Sequence, residues 1–354
     1  MRKVSLDRTR AGVRLARTIL SLDGIVLLSA GTILTEELIT TLESYSFTEI
    51  YIEDDLSKGI TTPEVVRDEI VTEVKAKIKQ IMTTPSIRIS LDGKKILEIV
   101  DKLLNNILQN DHIILSLSDI RSIDDYTFSH SVNVCILSLI TGVTLGIKGD
   151  NLRDLGIGAL LHDIGKIMIS EDILQKPSCL SINEFDEVKR HTVYGFEILK
   201  NSTNINPTAH AIALYHHERV DGSGYPYNLK NVDIPIAARI VAVADVYDAL
   251  TTDRVYRKKM LPHEVVDYMY SLSNKHFEKT VLDAFTRHVA HFPIGTAVLL
   301  NSGEKGLVSR YNPHFPNRPV IRIVMDEAGK MLVNHKEVDL SKKLEYRIID
   351  IWDI

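Results

Sequence analysis

The stretch GALLHDIGK, from Gly158 to Lys166, decides how this chain is organised. Leu152, Leu155, Ala159, Leu160 and Ile164 recur at helical spacing, which predicts a buried helix with one face packed inward. The helix closes on His162 and Asp163 side by side, followed by Gly165 and Lys166. Buried charge is costly unless it is paired or bound to metal. A helix end whose His and Lys complement the dipole would explain this stretch equally well. The rest of the chain decides between the two.

A second unusual pair, His216-His217, lies in ALYHHERVDGSGYP. His130 stands in SHSVNV, His191 in VKRHTVYG and Asp245 in VAVADVYDAL, each on a predicted helix rich in apolar residues. His130 and His162 are 32 residues apart, and His191 and His216 are 25 apart. Each interval is roughly one helix plus a loop. Successive helices can therefore bring one ligand cluster each to a common centre, as helical bundles do when they build metal sites. Any one of these histidines, taken singly, is better read as a core or cap histidine. His210, His263, His276 and His288 keep that reading. Imidazole and carboxylate together suit Fe, Mn or Zn better than Mg or Ca.

At 354 residues the chain suggests two or three domains. It is 44% apolar and 25% charged, with a net charge of −5, which gives no general attraction to nucleic acid or anionic membrane. An anionic ligand would have to be held by local positive charge. Cys135 and Cys179 form neither metal-ligand spacing nor a disulfide framework, which fits a reducing, cytoplasmic setting. The N-terminus lacks the apolar core segment of a signal peptide. The longest apolar run, Val134 to Ile147, is too short to span a bilayer and reads as a core helix.

The expected organisation is mainly α, a central all-helical bundle with a small α/β domain before it and a small β domain after it. Residues 1–58 read as the α/β domain. Apolar runs Leu15–Leu20 and Ile25–Leu28 flank Asp23-Gly24, a hairpin signal, and Thr35 caps a helix with Glu36 and Glu37 in its first turn. Thr48 to Ile52 reads as a last strand. Residues 59–119 read as a helical linker region. Thr61-x-x-Glu64 with Pro63 predicts a helix start, and its heavily charged polar face reads as solvated. Ile96, Ile99, Val100, Leu103, Leu104 and Ile107 make a stripe that suits either core or a dimer seam. Residues 120–293 read as the helical domain, with segments near 127–147, 151–164, 182–200, 207–217, 235–251, 262–272 and 279–291. Ser181-x-x-Glu184 is a capping box, and Pro207 and Pro235 stand where first-turn prolines belong. Residues 294–354 change to period two, predicting an antiparallel sheet or barrel.

His162-Asp163 and Gly224-Tyr225-Pro226 together resemble the signatures of the HD-GYP phosphodiesterases, a branch of the HD superfamily. HDIGK, HHERVDGSGYP, the His191 helix and IPIAARIVAVADVYDALTTDR match in the right order, over roughly Tyr126 to Phe292. Two departures are visible. The family often has Pro where Val255 stands, and Phe-Asp-Pro where Phe277-Glu278-Lys279 stands. Neither touches an expected ligand.

The resemblance implies an all-helical HD-type bundle that hydrolyses cyclic di-GMP to linear pGpG, and in some members onward to GMP. It implies two divalent metal ions, Fe or Mn. His130, His162 and Asp245 would hold one ion, His191, His216 and His217 the other, and Asp163 would bridge them. Such metal pairs lower the pKa of a shared water towards neutrality. Lys166, three residues beyond Asp163, would neutralise the transition state or protonate the leaving oxygen. Arg254 and Arg257 would hold phosphate oxygens, Tyr225 would pack against a guanine, and Asp248 is grouped with them as substrate-binding. Some HD-GYP proteins hold a third ion with a Glu four residues before the first ligand histidine. Tyr126 stands there, with Asp125 one residue off, so two ions are expected. The expected partner is cyclic di-GMP, with no nucleic acid polymer and no membrane span, and a homodimer is allowed. The rival reading is a receptor that binds the dinucleotide or a protein without turnover.

Overall fold

Period-two runs build strands at both ends of the chain, and period-3.6 runs build the helices between them. The computed structural model describes the chain except residues 22–24, 46, 64, 84–90, 110–113, 115–125, 253–258 and 353–354, and the side chains of 126 and 127. Asp23-Gly24, Glu64, Asp125, Arg254, Arg257 and the Tyr126 side chain therefore lie outside the described residues. The chain divides into two compact units. One gathers Met1–Val65 with Val289–Ile354, and the other gathers Val66–Ile113 with Tyr126–His288.

In the first unit, β1 (Arg2–Ser5), β2 (Arg14–Leu15), β3 (Ile19–Leu20), β4 (Val26–Leu28), α1 (Glu36–Ser44) and β5 (Glu49–Glu53) come from the N-terminal segment. β1, β5 and β2 form an antiparallel sheet in that order, and β3 pairs with β4. Thr35 caps α1 by accepting the Leu38 N–H. Leu6, Leu15, Leu34, Leu42, Ile50 and Ile52 are its core. The C-terminal segment supplies β6 (Ala297–Leu300), β7 (Lys305–Arg310), β8 (Val320–Met325), β9 (Met331–Asp339) and β10 (Ile348–Ile351). They make an antiparallel sheet in the order β10-β6-β7-β8-β9 over a core of Val298, Leu300, Leu307, Ile321 and Ile323. The two segments meet within this unit, where the Lys3 N–H donates to Gly295 O at 3.2 Å.

The second unit is all helical: α2 (Asp68–Met82), α3 (Gly93–Ile107), α4 (Tyr126–Thr144), α5 (Asp150–Leu160), α6 (Glu171–Leu174), α7 (Ile182–Lys189), α8 (His191–Lys200), α9 (Pro207–Tyr215), α10 (Ile236–Thr251), α11 (Pro262–Ser271) and α12 (Lys279–Thr286). A 3-10 turn, Ile164–Met168, follows α5. α4 packs on α5 and α10, α9 on α5 and α8, and α3 on α5 and α2. The α3 stripe is thus core within this unit: Ile96, Val100, Leu103 and Ile107 are fully buried. Among the described residues no helix is long and apolar enough to cross a membrane.

Three boundaries differ from expectation. α2 starts at Asp68, beyond the Thr61–Pro63 signal. Pro235 is the N-cap of α10 and not its first residue. The segment 182–200 is two helices broken at Arg190. There His191 Nδ1 donates to Val188 O at 2.6 Å and Thr192 Oγ1 to Lys189 O at 3.0 Å, so side chains compete for carbonyls of the helical ladder. The Ser181 capping box and Pro207 at the head of α9 stand as read.

Candidate metal centre

Five helices deliver the ligand-type side chains to one place. α4 carries His130, the end of α5 leads into His162 and Asp163, α8 opens on His191, α9 runs into His216 and His217, and α10 carries Asp245. Gly165 permits the closest of these approaches: a Cβ there would lie 1.9 Å from His191 O, so any other residue would push α8 away from Asp163. The seven side chains gather into two groups, His130 with His162 and Asp245, and Asp163 with His191, His216 and His217. Within each group the ligand atoms lie within 4.8 Å of one another.

Asp163 stands between the groups. Its Oδ2 is 3.8 Å from His130 Nε2 and 3.5 Å from His162 Nε2. Its Oδ1 is 3.3 Å from His191 Nε2 and 3.8 Å from His216 Nε2. Asp245 reaches both sides, with Oδ1 3.1 Å from His130 Nε2 and Oδ2 3.9 Å from His217 Nδ1. His162 Nε2 and Asp163 Oδ1 are buried without a hydrogen-bond partner among the described residues. Orphaned buried polar atoms cost about 1–3 kcal/mol each. Facing lone pairs on imidazole and carboxylate are what a divalent cation satisfies, so the residues fit divalent metal of the Fe, Mn or Zn class.

The outer nitrogens are already spent. His130 Nδ1 donates to Asp248 Oδ2 at 2.7 Å, His162 Nδ1 to Ala159 O at 2.8 Å, and His216 Nδ1 to Ile212 O at 3.1 Å. With the His191–Val188 bond, these fix the tautomers that turn Nε2 inward, the usual support of a metal-bound histidine. Electrostatics agree. Burial holds His162, His191 and His216 below the ordinary histidine value and pushes His217 down to about 3, so these rings are neutral. His130 is the exception: burial opposes its charge, but Asp245 and Asp248 raise it to about 9. Burial disfavours charge on Asp163 too, yet Lys166, His162, His191 and His216 hold it well below the usual carboxylate range.

Lys166 sits in the 3-10 turn, its Nζ bonded to Asp163 Oδ2 and its side chain 34% exposed. A cation thus stands on the Asp163 carboxylate, partly open to solvent. Tyr225 also lies at the centre, but its ring packs on His217, centroids 4.7 Å apart and planes at 30°. One ring face is therefore taken by His217 and is closed to a guanine. Asp248 lies behind His130. It is buried, with Oδ2 on His130 and Oδ1 accepting from Asn133 Nδ2 at 2.8 Å, so it orients that ring. No sequence signal marked that role, nor two others. Glu218 is buried and accepts the Tyr227 and Leu229 N–H groups at 2.7 and 3.0 Å. Lys75 is buried in the apolar stripe of α2, where a solvated face was expected, and interacts electrostatically with Asp248.

Residues 117–281 match the model of the HD domain, and residues 297–354 match that of a KOW domain associated with the HD domain. A cyclic di-GMP phosphodiesterase of Pseudomonas aeruginosa is 32% identical over 273 residues, 77% of this chain and 66% of that protein. One from Thermotoga maritima is 40% identical over 176 residues, 49% of this chain and 47% of that protein. The chain therefore spans about half to two thirds of the length of these curated relatives. Among solved structures, an HDG"Y"P protein from Bdellovibrio bacteriovorus shares the fold, with a TM-score of 0.52 at 19% identity over 80% of this chain and 97% of its own. With the HD pair, the GYP loop and the histidine cluster in one site, this chain belongs to the HD-GYP branch of the HD domain family.

Proposed function

We propose that the chain is a metal-dependent phosphodiesterase that opens cyclic di-GMP to linear pGpG. The observation that carries this reading is Asp163, whose two oxygens face two separate groups of ligand atoms. His130, His162 and Asp245 would hold one ion and His191, His216 and His217 the other, with Asp163 between them and Fe or Mn as the metal. Two such ions would supply Lewis-acid charge to a phosphoryl oxygen and a water acidified towards neutral pH. The carboxylates of Asp163 and Asp245 offset half of the charge of a divalent pair and leave the site attractive to a phosphodiester. The Lys166 ammonium is placed to meet the anionic phosphate and to give a proton to the leaving oxygen. Arg254 and Arg257 follow α10 in sequence and are the proposed phosphate clamp, suited by the guanidinium fork.

The similarity to named cyclic di-GMP phosphodiesterases supports the substrate, and the ordinary charge and cysteine use support a cytoplasmic setting. A receptor without turnover would not need all seven ligand-type residues. Incubating the chain with cyclic di-GMP and Mn²⁺ or Fe²⁺, then resolving the products by chromatography, tests the reading. Linear product is expected. Tight binding with no linear product over hours would establish the receptor instead.

A further inference from the structure

The five histidines of the centre are not held alike. His130, His162, His191 and His216 are at most 3% exposed, and each has its outer ring nitrogen bonded to a carboxylate or carbonyl. His217 is 27% exposed, and its ring makes no hydrogen bond among the described residues. A metal-bound histidine lacking an outer hydrogen bond has nothing to fix its rotation. Yet its Nδ1 lies 3.9 Å from Asp245 Oδ2, and the ring offers a nitrogen to the second ligand group.

Something else sets that ring. Tyr225 packs on it at 4.7 Å with the planes tilted by 30° and meets His191 edge-on at 6.4 Å. His216 and His191 also contact the His217 ring, at 4.1 and 5.1 Å. Offset-stacked and edge-to-face contacts at these distances are the favoured arrangements of aromatic rings. The backbone forces the pairing, because the Tyr225 N–H donates to His217 O at 3.2 Å. Gly224 makes that possible: a Cβ there would lie 2.5 Å from Glu218 Cα and 2.5 Å from His217 O.

The loop that carries Tyr225 is tied from beneath by Glu218, the residue after His217. Glu218 is 3% exposed, and each carboxylate oxygen accepts a backbone N–H, one from Tyr227 and one from Leu229. A buried carboxylate is tolerated only with such partners, so the loop and Glu218 hold each other in one conformation. Asn228 Nδ2 closes the same loop on Gly224 O.

We propose that Tyr225 is a positioning residue that orients His217 for the second ion by ring stacking, and that Glu218 anchors the loop presenting it. This rests on the two-ion reading of the centre. It gives the GYP segment a task at the metal site in place of the expected guanine contact.

The test counts ions on the full chain after dialysis against graded free Mn²⁺, for the wild type, Tyr225→Phe, Tyr225→Ala and Glu218→Ala. The wild type should hold two ions. Tyr225→Phe keeps the ring and should hold both at wild-type affinity. Tyr225→Ala should weaken the second ion about 10–100-fold and leave the first unchanged, the usual scale for loss of support behind a metal ligand. Glu218→Ala should follow Tyr225→Ala. Should Glu218→Ala fail to fold, the Tyr225 pair decides alone. Wild-type affinity for both ions in Tyr225→Ala, or equal weakening in Tyr225→Phe, overturns the proposal while the two-ion centre stands. A wild type that holds fewer than two ions overturns both.

Discussion

His130 Nδ1 donates to Asp248 Oδ2 across 2.7 Å, and both residues are buried. The bond turns His130 Nε2 towards Asp245 and Asp163. A carboxylate behind a metal-bound imidazole fixes its orientation and raises its basicity. Asp248→Asn should therefore weaken binding of the ion held by His130, His162 and Asp245 about 10–100-fold, with KM for cyclic di-GMP little changed once metal is saturating. Titration with Mn²⁺ alongside steady-state kinetics checks this. Unaltered metal affinity with a raised KM would return Asp248 to the substrate side.

Lys166→Ala should lower turnover about 10²–10⁴-fold, the scale of a general acid or an electrostatic stabiliser of the transition state. Its ammonium lies against Asp163 but has no lone pair for an ion when protonated, so ion content should hold. Single-turnover rates at saturating substrate, with metal counted on the same sample, measure both. Unchanged turnover would remove Lys166 from the chemistry.

Much of this site is legible in the sequence because metal ligands are polar residues in apolar helices. His162 and Asp163 stand out at the end of α5, and His216 and His217 at the end of α9, for that reason. The supporting residues are not legible in the same way. Asp248 is three residues beyond Asp245 on α10 and shares its residue type, so only three-dimensional placement separates ligand from support. Glu218 follows two histidines, and its partners are backbone N–H groups that carry no side-chain signature. Lys75 looks like one of many charges on α2, but falls on the face of Val71, Val74 and Ile78. In the flanking segments, β1 and β10 were not read as strands, being short and joined only by distant pairings.

Lys75 gives the clearest pH signature. Burial pushes its ammonium down to about 8, against the opposite pull of Asp248 and Asp68. Its unfolded value is about 10.4, so between roughly pH 8 and 10.4 the unfolded chain binds the extra proton. This group's contribution therefore makes the fold more stable as pH rises through that window, by on the order of 3 kcal/mol at most. Urea unfolding of the wild type and Lys75→Met at about pH 7.5 and 10 isolates it. The stability difference should shift in favour of the wild type at the higher pH. A difference independent of pH would mean that Lys75 titrates as an exposed lysine does.

The bridging role of Asp163 is best tested by counting tightly bound ions per chain, by elemental analysis of protein prepared without chelator, in the wild type and in Asp163→Ala. Each Asp163 oxygen faces two histidines of one ligand group, within 3.3–3.8 Å, whereas Asp245 meets a single histidine of each. The wild type should hold two ions, and Asp163→Ala should lose the pair together with all turnover of cyclic di-GMP. Two ions retained in Asp163→Ala with activity intact, or a wild type holding one ion or three, would contradict the account.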